Sequence, residues 1–140
     1  MVSGAHLPEG WAPGRVFAVP GSSALWELAQ AIDISFGRWD FSHEREFTVK
    51  GKDLNAGPFE RGADRLTLDS LDLVVEEVFT YVFDLGDVWE HTCLVRNAAA
   101  DLPGQWDSWK PAMPTPVFGW GSMPDQYGRE SMSDDGSVEE

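Results

Sequence analysis

The spacing of apolar residues predicts one amphipathic helix in the first third of the chain. Between Ala24 and Phe36 these residues recur at helical intervals, at Leu25, Leu28, Ala29, Ile32 and Phe36. Gly37 follows, and a glycine there can adopt the left-handed conformation that ends a helix. Ser22 or Ser23 is the expected N-cap. We therefore predict a helix over 24–36 with its apolar stripe against a core.

Short strands are predicted on both sides of this helix. Arg15–Val19 is a run with strand character, and Arg45–Lys50 alternates charged or polar residues with apolar ones. The segment 51–64 is rich in glycine and predicts a loop. The leucine-rich stretch 66–75 fits either a helical turn or extended chain.

A β-hairpin within 78–95 is the clearest pattern. Two runs rich in β-branched and aromatic residues flank Asp84-Leu85-Gly86-Asp87, which has the chemistry of a turn. Side chains on a strand alternate between its two faces. One face of the first strand is therefore predicted to carry Phe79, Tyr81 and Phe83, and one face of the second Trp89, His91, Cys93 and Val95.

The chain after Asn97 changes in composition. Its prolines exclude long helices and central strands, whereas its aromatic rings are too large to be left in water. These aromatic residues are Trp106, Trp109, Phe118, Trp120 and Tyr127. We predict an ordered, irregular strap rich in proline and tryptophan that wraps the core. The expected organisation is a flexible arm over 1–13, a domain over 14–130 and a disordered acidic tail over 131–140.

Composition narrows the range of functions. The chain has 140 residues, with 24 Asp and Glu against 10 Lys and Arg, and a formal charge of −14. The basic residues are scattered, which argues against direct binding of nucleic acid. The single cysteine, Cys93, cannot form an intramolecular disulfide, so the cytoplasm is the expected location. The sequence contains neither a recognisable secretory signal nor an apolar run long enough to span a membrane.

Three segments carry motifs that occur together in one family. They are Leu28–Asp33 continuing through Phe36–Asp40 to His43, then Tyr81–His91, then Gly119–Gly121 with Pro124–Arg129. The middle segment reads Tyr-x-x-Asp-x-Gly-Asp-x-Trp-x-His. In these motifs and their order, residues 13–130 resemble the plasmid pRiA4b ORF-3-like family, in particular its actinobacterial members.

The resemblance implies a fold but no reaction. It implies a small α+β domain in which helices pack on one face of a mostly antiparallel sheet. Members of the family occur on plasmids and near mobile elements, and no activity can be carried over from them. This chain also departs from the family pattern, because it has His43-Glu44-Arg45-Glu46-Phe47 where relatives usually read His-Leu-His-Glu-Phe.

One group of residues could carry chemistry. Asp84, Asp87 and His91, with His43 as an addition, are of the types that bind a divalent metal or act as acid and base. Asp84 and Asp87 also flank the hairpin turn, where aspartates commonly cap backbone N–H groups. We therefore expect no metal and no cofactor here. A metal-dependent hydrolase or nuclease-like enzyme that uses these four residues remains the alternative.

A binding surface is the interpretation that we favour. The resemblance implies that the segment after the helix, the hairpin turn and the C-terminal motif converge, which would bring together Trp39, Asp40, His43, Trp89, Trp120, Asp125 and Tyr127. Aromatic side chains dominate such surfaces. The expected partner is another protein, with no membrane involved and the oligomeric state open. An acidic decoy of a nucleic-acid-binding protein is a further alternative, suggested by the charge of −14.

Overall fold

The computed structural model describes residues 13–38, 42–58, 62–86, 88–97 and 111–121. These residues form one α-helix, two short 3-10 turns and six strands in two antiparallel sheets. The helix is α1 (Leu25–Ser35); the strands are β1 (Gly14–Ala18), β2 (Arg45–Val49), β3 (Lys52–Asn55), β4 (Val78–Phe83), β5 (Trp89–Leu94) and β6 (Thr115–Trp120). The α+β class is thereby confirmed. The predicted tail over 131–140 and nearly all of the arm over 1–13 lie outside the described residues.

The larger sheet has the strand order β3-β2-β4-β5 and provides one wall of the core. Its inner face carries alternate residues of β2, β4 and β5, and the buried stripe of α1 packs against them. Phe47 of β2 lies opposite Tyr81 of β4, which in turn lies opposite His91 of β5. This register places a histidine and a tyrosine in the central row beneath the helix.

Helix α1 begins without a serine cap. Its N-cap residue is Ala24, so the predicted cap at Ser22 or Ser23 is wrong. The Ala24 N–H donates to the Glu27 carboxylate at 2.9 Å, and the Leu25 N–H donates to the Leu66 carbonyl at 2.9 Å. These two acceptors satisfy N–H groups that otherwise have no partner at a helix start. The predicted end of the helix is confirmed, since Gly37 has a φ of 76°.

Strand β3 corrects the predicted loop over 51–64. Lys50 and Gly51 have φ values of 52° and 78°, the left-handed pair that builds a two-residue hairpin turn. Val49 consequently pairs with Lys52, and β3 continues antiparallel to β2 as far as Asn55. Beyond this strand the structure describes 56–58 and 62–64 of the segment, where a 3-10 turn begins at Ala63.

The predicted hairpin is confirmed as β4 and β5. Phe83 pairs with Trp89, and residues 84–88 connect the two strands. The loop is closed by the Val88 N–H, which donates to the Asp84 carbonyl at 2.7 Å. Both of these residues have positive φ, 64° at Asp84 and 58° at Val88.

The second sheet consists of β1 and β6. Pro116 of β6 lies opposite Phe17, where the register of the pair shifts, so the proline is accommodated at an irregularity. The described part of the predicted strap, 111–121, therefore contains a regular strand, whereas the rest of the strap lies outside the described residues. Among the residues described, no helix has the length and apolar character needed to span a membrane.

Candidate functional site

The end of the β4–β5 hairpin brings His43 and Asp84 together. The Nδ1 atom of His43 lies 3.4 Å from Asp84 Oδ2, and the imidazole ring stands at 76° to the Phe83 ring with centroids 5.8 Å apart. The Asp84 N–H also donates to the Glu44 carbonyl at 2.9 Å. The turn and the segment before β2 are thus joined by backbone and side-chain contacts.

Asp84 also caps the turn that it begins. Its Oδ1 atom accepts the Gly86 N–H at 3.0 Å, which is the local bond expected of an aspartate in this position. Its φ of 64° lies in a region that aspartate and asparagine tolerate better than most residues. The position of Asp84 is therefore explained by turn geometry.

His91 lies apart from this pair, in the core. Its side chain is fully buried, and its Nδ1 atom is 3.0 Å from the Tyr81 carbonyl oxygen. Because a carbonyl only accepts, Nδ1 carries the proton and Nε2 is left as an acceptor. Burial, together with the positive charge of Arg38, lowers the pKa of His91 from 6.5 to about 3. The imidazole is therefore neutral at physiological pH.

The arrangement of the described residues does not support the metal-binding alternative. Within the described part of the chain, no group of three or more His, Cys, Asp or Glu is placed to hold a metal ion. Asp87, a member of the predicted set, lies outside the described residues. Cys93 is buried, and burial raises the pKa of its thiol to about 12, so it is not an activated nucleophile.

A buried polar cluster that the sequence did not predict lies between α1 and the sheet. Asp33, at the end of the helix, is fully buried and accepts a hydrogen bond from the Tyr81 hydroxyl. The hydroxyl oxygen lies 2.8 Å from Oδ1 and 2.9 Å from Oδ2. Burial raises the pKa of Asp33 to about 7, against the opposing effects of Arg38, Tyr81 and Arg45. The cost of burying the carboxylate outweighs the attraction of its neighbours.

Arg45 is the first of two buried arginines beside this carboxylate. Its Nη1 atom lies 3.8 Å from Asp33 Oδ2, and its Nη2 atom donates to the Ala56 carbonyl at 3.0 Å. Its main chain exchanges further hydrogen bonds with Ala56 and Gly57. The residue therefore joins the start of β2 to the chain that follows β3, and its guanidinium is held in one orientation.

Arg38 is the second buried arginine, and three aromatic rings surround it. The centre of its guanidinium lies 5.4 Å from the Phe36 ring, 5.2 Å from Phe83 and 5.6 Å from Trp89. Such contacts stabilise a cation through the ring faces. Burial nevertheless lowers the pKa of Arg38, although Asp33 acts in the opposite direction.

Two signals in the sequence could have identified the cluster. Asp33 lies four residues after Ala29, on the apolar stripe of α1, where a charged residue breaks the pattern. Arg45 shares a strand face with Phe47 and Val49, because side chains two apart point the same way. A charge on a buried face indicates a buried polar partner.

The second sheet exposes an aromatic pair on β6. The Phe118 and Trp120 rings lie on the same face with centroids 6.0 Å apart, and 65% of Phe118 and 38% of Trp120 are exposed. The Trp120 ring lies across Gly14, where a Cβ atom would overlap with it. The buried Arg15 donates from Nη1 to the Trp120 carbonyl at 2.9 Å and from Nε to the Ser35 carbonyl at 3.2 Å. Strand β6 is thereby fixed to β1 and to the end of α1.

The predicted binding surface is only partly described. Trp120 is exposed on β6, and His43 is half-buried beside the hairpin turn. Trp89 is buried against Arg38 and adds no open surface. The remaining predicted members lie outside the described residues: Trp39, Asp40, Asp125 and Tyr127. Phe118 is not a member of the predicted surface, although it is the most exposed aromatic side chain of the part described.

Comparison with known proteins bears on the fold and the family. The chain is similar to the crystal structure of a protein of unknown function, MM3350, from Methanosarcina mazei Go1, with a TM-score of 0.63 and 17% sequence identity. The match covers 89% of this chain and 70% of the other, and at that identity it concerns the fold alone. No curated protein matches. Residues 12–117 match the family described as Plasmid pRiA4b ORF-3-like protein. The chain therefore belongs to the plasmid pRiA4b ORF-3-like family.

Proposed function

We propose that this protein is a binding module that holds an extended segment of another protein along strand β6. The observation that carries the proposal is the exposed pair of Phe118 and Trp120 on a strand whose partner in the described structure is β1. A strand at the edge of a sheet can pair with an added strand through its outer backbone groups. Aromatic side chains beside that edge would provide affinity and select apolar residues in the partner.

The fixed position of Trp120 supports a role in recognition. Its ring packs across Gly14, and its carbonyl is held by Arg15, which is itself buried. An anchor that is already ordered loses little conformational freedom on binding, so more of the contact energy appears as affinity. Phe118 is more exposed and would gain more burial from a partner.

The net charge of the protein favours a basic segment as the partner. With a net charge of −14, the protein attracts basic partners over a distance and repels acidic ones. In an extended segment, alternate side chains point to opposite faces. A segment that alternates lysine with apolar residues would therefore place apolar side chains on Phe118 and Trp120 and direct its positive charges elsewhere along the acidic surface.

The arrangement of the hairpin end supports the enzyme alternative less well. That alternative requires His43, Asp84 and His91 to act at one point. His43 contacts Asp84, but His91 is buried in the central row of the sheet with its pKa lowered by burial. The position of Asp84 is explained by the hydrogen bond that its carboxylate accepts from the Gly86 N–H.

The proposal is tested with a synthetic probe. The probe is a labelled peptide that alternates lysine with valine and phenylalanine, and its binding is followed by fluorescence anisotropy. Because Phe118 is exposed, Phe118→Ala should leave the fold intact and weaken binding at least about tenfold. Val74→Ala is the matched control, since Val74 is 61% exposed and lies outside β6.

Three results would overturn the proposal. The first is the absence of saturable binding to the lysine peptide. The second is equal binding to a peptide with glutamate in place of lysine, because charge would then play no part. The third is a dimer of the parent protein in sedimentation experiments that Phe118→Ala converts to monomer, since the occupant of β6 would then be a second copy.

A further inference from the structure

The described residues of the buried cluster between α1 and the sheet carry more positive than negative charge. Among the described residues, Arg45 Nη1 lies 3.8 Å from Asp33 Oδ2, the backbone N–H of Arg38 donates to the Asp33 carbonyl at 2.8 Å, and the positive charge of Arg38 lowers the pKa of the same carboxylate. All three are buried. A buried charge without an opposite partner is expensive, and among the described residues this cluster has one such charge in excess.

We propose that Arg38 and Arg45 bind a small oxyanion that carries a proton, of which hydrogen phosphate is the simplest. The site is separate from β6 and does not rest on the function proposed above. An oxyanion would neutralise the excess charge, which a water molecule in the same place would not do. It would also accept hydrogen bonds from both guanidinium groups, whose planar donors fit phosphate well.

The donors for such an anion are present and unused. Arg38 Nη1 and Arg45 Nε are buried and have no hydrogen-bond partner among the residues described. The other two nitrogens of Arg45 face Asp33 and the Ala56 carbonyl, so Nε is the donor that remains. A buried N–H group without an acceptor destabilises the fold, and the cost is greater when the group is charged. A bound oxyanion removes that cost at both arginines.

His91 provides the reason for a protonated oxyanion. Its Nε2 atom is also buried and without a partner in the described structure, and the bond from Nδ1 to Tyr81 makes Nε2 an acceptor. The His91 ring and the Arg38 guanidinium lie against the same Phe36 ring, at 5.3 and 5.4 Å from its centroid. An anion that accepts from Arg38 and donates a proton to Nε2 would satisfy both groups. Hydrogen phosphate can do so, whereas sulfate has no proton to donate.

The experiment measures the thermal stability of the protein in inorganic phosphate, sulfate, acetate and chloride at constant ionic strength. A ligand that binds only the folded state raises the Tm in proportion to its affinity and concentration. We expect a saturable rise in phosphate that exceeds the rise in sulfate. Methyl phosphate in a parallel titration distinguishes free phosphate from a phosphate ester, and a rise confined to acetate would overturn the assignment to phosphate.

Variants distinguish phosphate binding at this site from a general effect of salt on stability. Arg38→Gln should weaken phosphate binding at least about tenfold, because a charge-assisted hydrogen bond is lost. Arg65→Gln is the matched control, because Arg65 is exposed. Asp33→Asn should tighten phosphate binding, since it removes the carboxylate that competes for the same arginines. That gain in affinity is not expected of a purely structural cluster, and it can be measured even where Arg38→Gln does not fold.

The outcomes decide between a phosphate-binding site and a purely structural cluster. No phosphate-specific rise in the parent protein, or the same rise in Arg38→Gln as in the parent, would overturn the proposal. Unchanged or weaker phosphate binding in Asp33→Asn would do so as well. Equal effects of sulfate and phosphate would overturn the assignment of His91 as the acceptor of a ligand proton.

Discussion

The Tyr81 hydroxyl lies 2.8 Å and 2.9 Å from the two carboxylate oxygens of Asp33, in the interior where α1 packs on β4. This contact joins the helix to the central row of the sheet through a polar bond within an apolar core. It also gives the buried carboxylate a donor at the place where water is excluded. The stability of the fold should therefore depend on both partners together.

Tyr81→Phe tests this dependence. The variant removes the hydroxyl and leaves a buried carboxylate with one donor fewer, so we expect the free energy of unfolding to fall by about 1 to 3 kcal/mol. Urea denaturation measures the change. In an Asp33→Asn background, Tyr81→Phe should cost less, because the charged acceptor is gone. Equal costs in the two backgrounds would contradict a direct coupling between these residues.

The pH dependence of stability should reflect two buried groups that act in opposite directions. The pKa of Asp33 is raised to about 7, so the folded state binds the proton more tightly than the unfolded state, and stability is lost as pH rises from about 4 to 7. The pKa of His91 is lowered to about 3, so stability is lost as pH falls from about 6.5 towards 3. Each group contributes a slope of about 1.4 kcal/mol per pH unit. Between about pH 4 and 6.5 the two contributions should cancel.

Asp33→Asn separates these contributions. Without Asp33, nothing offsets the effect of His91 protonation on stability. Between about pH 4 and 6.5 the free energy of unfolding should therefore rise with pH more steeply than in the parent, by about 1.4 kcal/mol per unit. The other carboxylates are the same in both proteins, and the difference between the two profiles therefore isolates Asp33. Chemical denaturation at a series of pH values gives both curves. Parallel curves would show that Asp33 has an ordinary pKa in the folded protein.

Elements with a local periodic signal were predictable from the sequence. Helix α1 and the β4–β5 hairpin each bury one regular face, and that periodicity is visible without knowledge of their neighbours. Strand β3 was not visible, because Leu54 is the one apolar residue within Lys52–Asn55. It forms because the turn at Lys50 and Gly51 returns the chain along β2. The stabilisation of the strand then comes from backbone pairing with β2 and not from an apolar pattern of its own.

The candidate sites were harder to predict for a physical reason. Asp33, Arg38 and Arg45 are charged residues, which are usually exposed, and their burial depends on contacts between segments distant in sequence. Their mutual positions become apparent only when α1 is placed on β2. By contrast, the contact between His43 and Asp84 agrees with the expectation that the segment after the helix meets the hairpin turn.

Substitutions at Asp84 should distinguish a turn cap from other roles. Asp84→Asn keeps an oxygen for the Gly86 N–H and tolerates the φ of 64°, whereas Asp84→Ala loses the bond and tolerates that backbone conformation poorly. We expect the alanine variant to be less stable than the asparagine variant by about 1 kcal/mol. Thermal unfolding followed by circular dichroism provides the comparison. If both variants lose the same stability, the carboxylate charge matters more than the cap.

Cys93 should resist thiol reagents in the folded protein. The side chain is buried, and its pKa of about 12 leaves almost no thiolate at neutral pH. Labelling with a chromogenic disulfide at pH 8 should therefore proceed only as fast as the protein opens. The urea-unfolded chain is the control and should react at its single thiol. Rapid reaction in native buffer would mean that the core around β5 opens readily.

Gly14→Ala should separate the stability of β6 from its capacity to bind. A methyl group at this position would overlap with the Trp120 ring, so the ring must move and the β1–β6 pair should lose about 1 to 3 kcal/mol of stability. Gly86→Ala at the hairpin turn is the control, because its nearest neighbour is the end of the Asp84 side chain at 3.2 Å. Thermal unfolding measures the loss.

The same Gly14→Ala variant also tests the proposed anchor at Trp120. If the fixed ring contributes to recognition, binding of the lysine peptide should weaken at temperatures well below the new midpoint of unfolding, where the chain is still folded. Phe118→Ala should weaken binding without lowering that midpoint, because Phe118 is 65% exposed. A Gly14→Ala variant that is destabilised but binds the peptide as tightly as the parent would show that Trp120 serves the packing of β6 on β1 and takes no part in recognition.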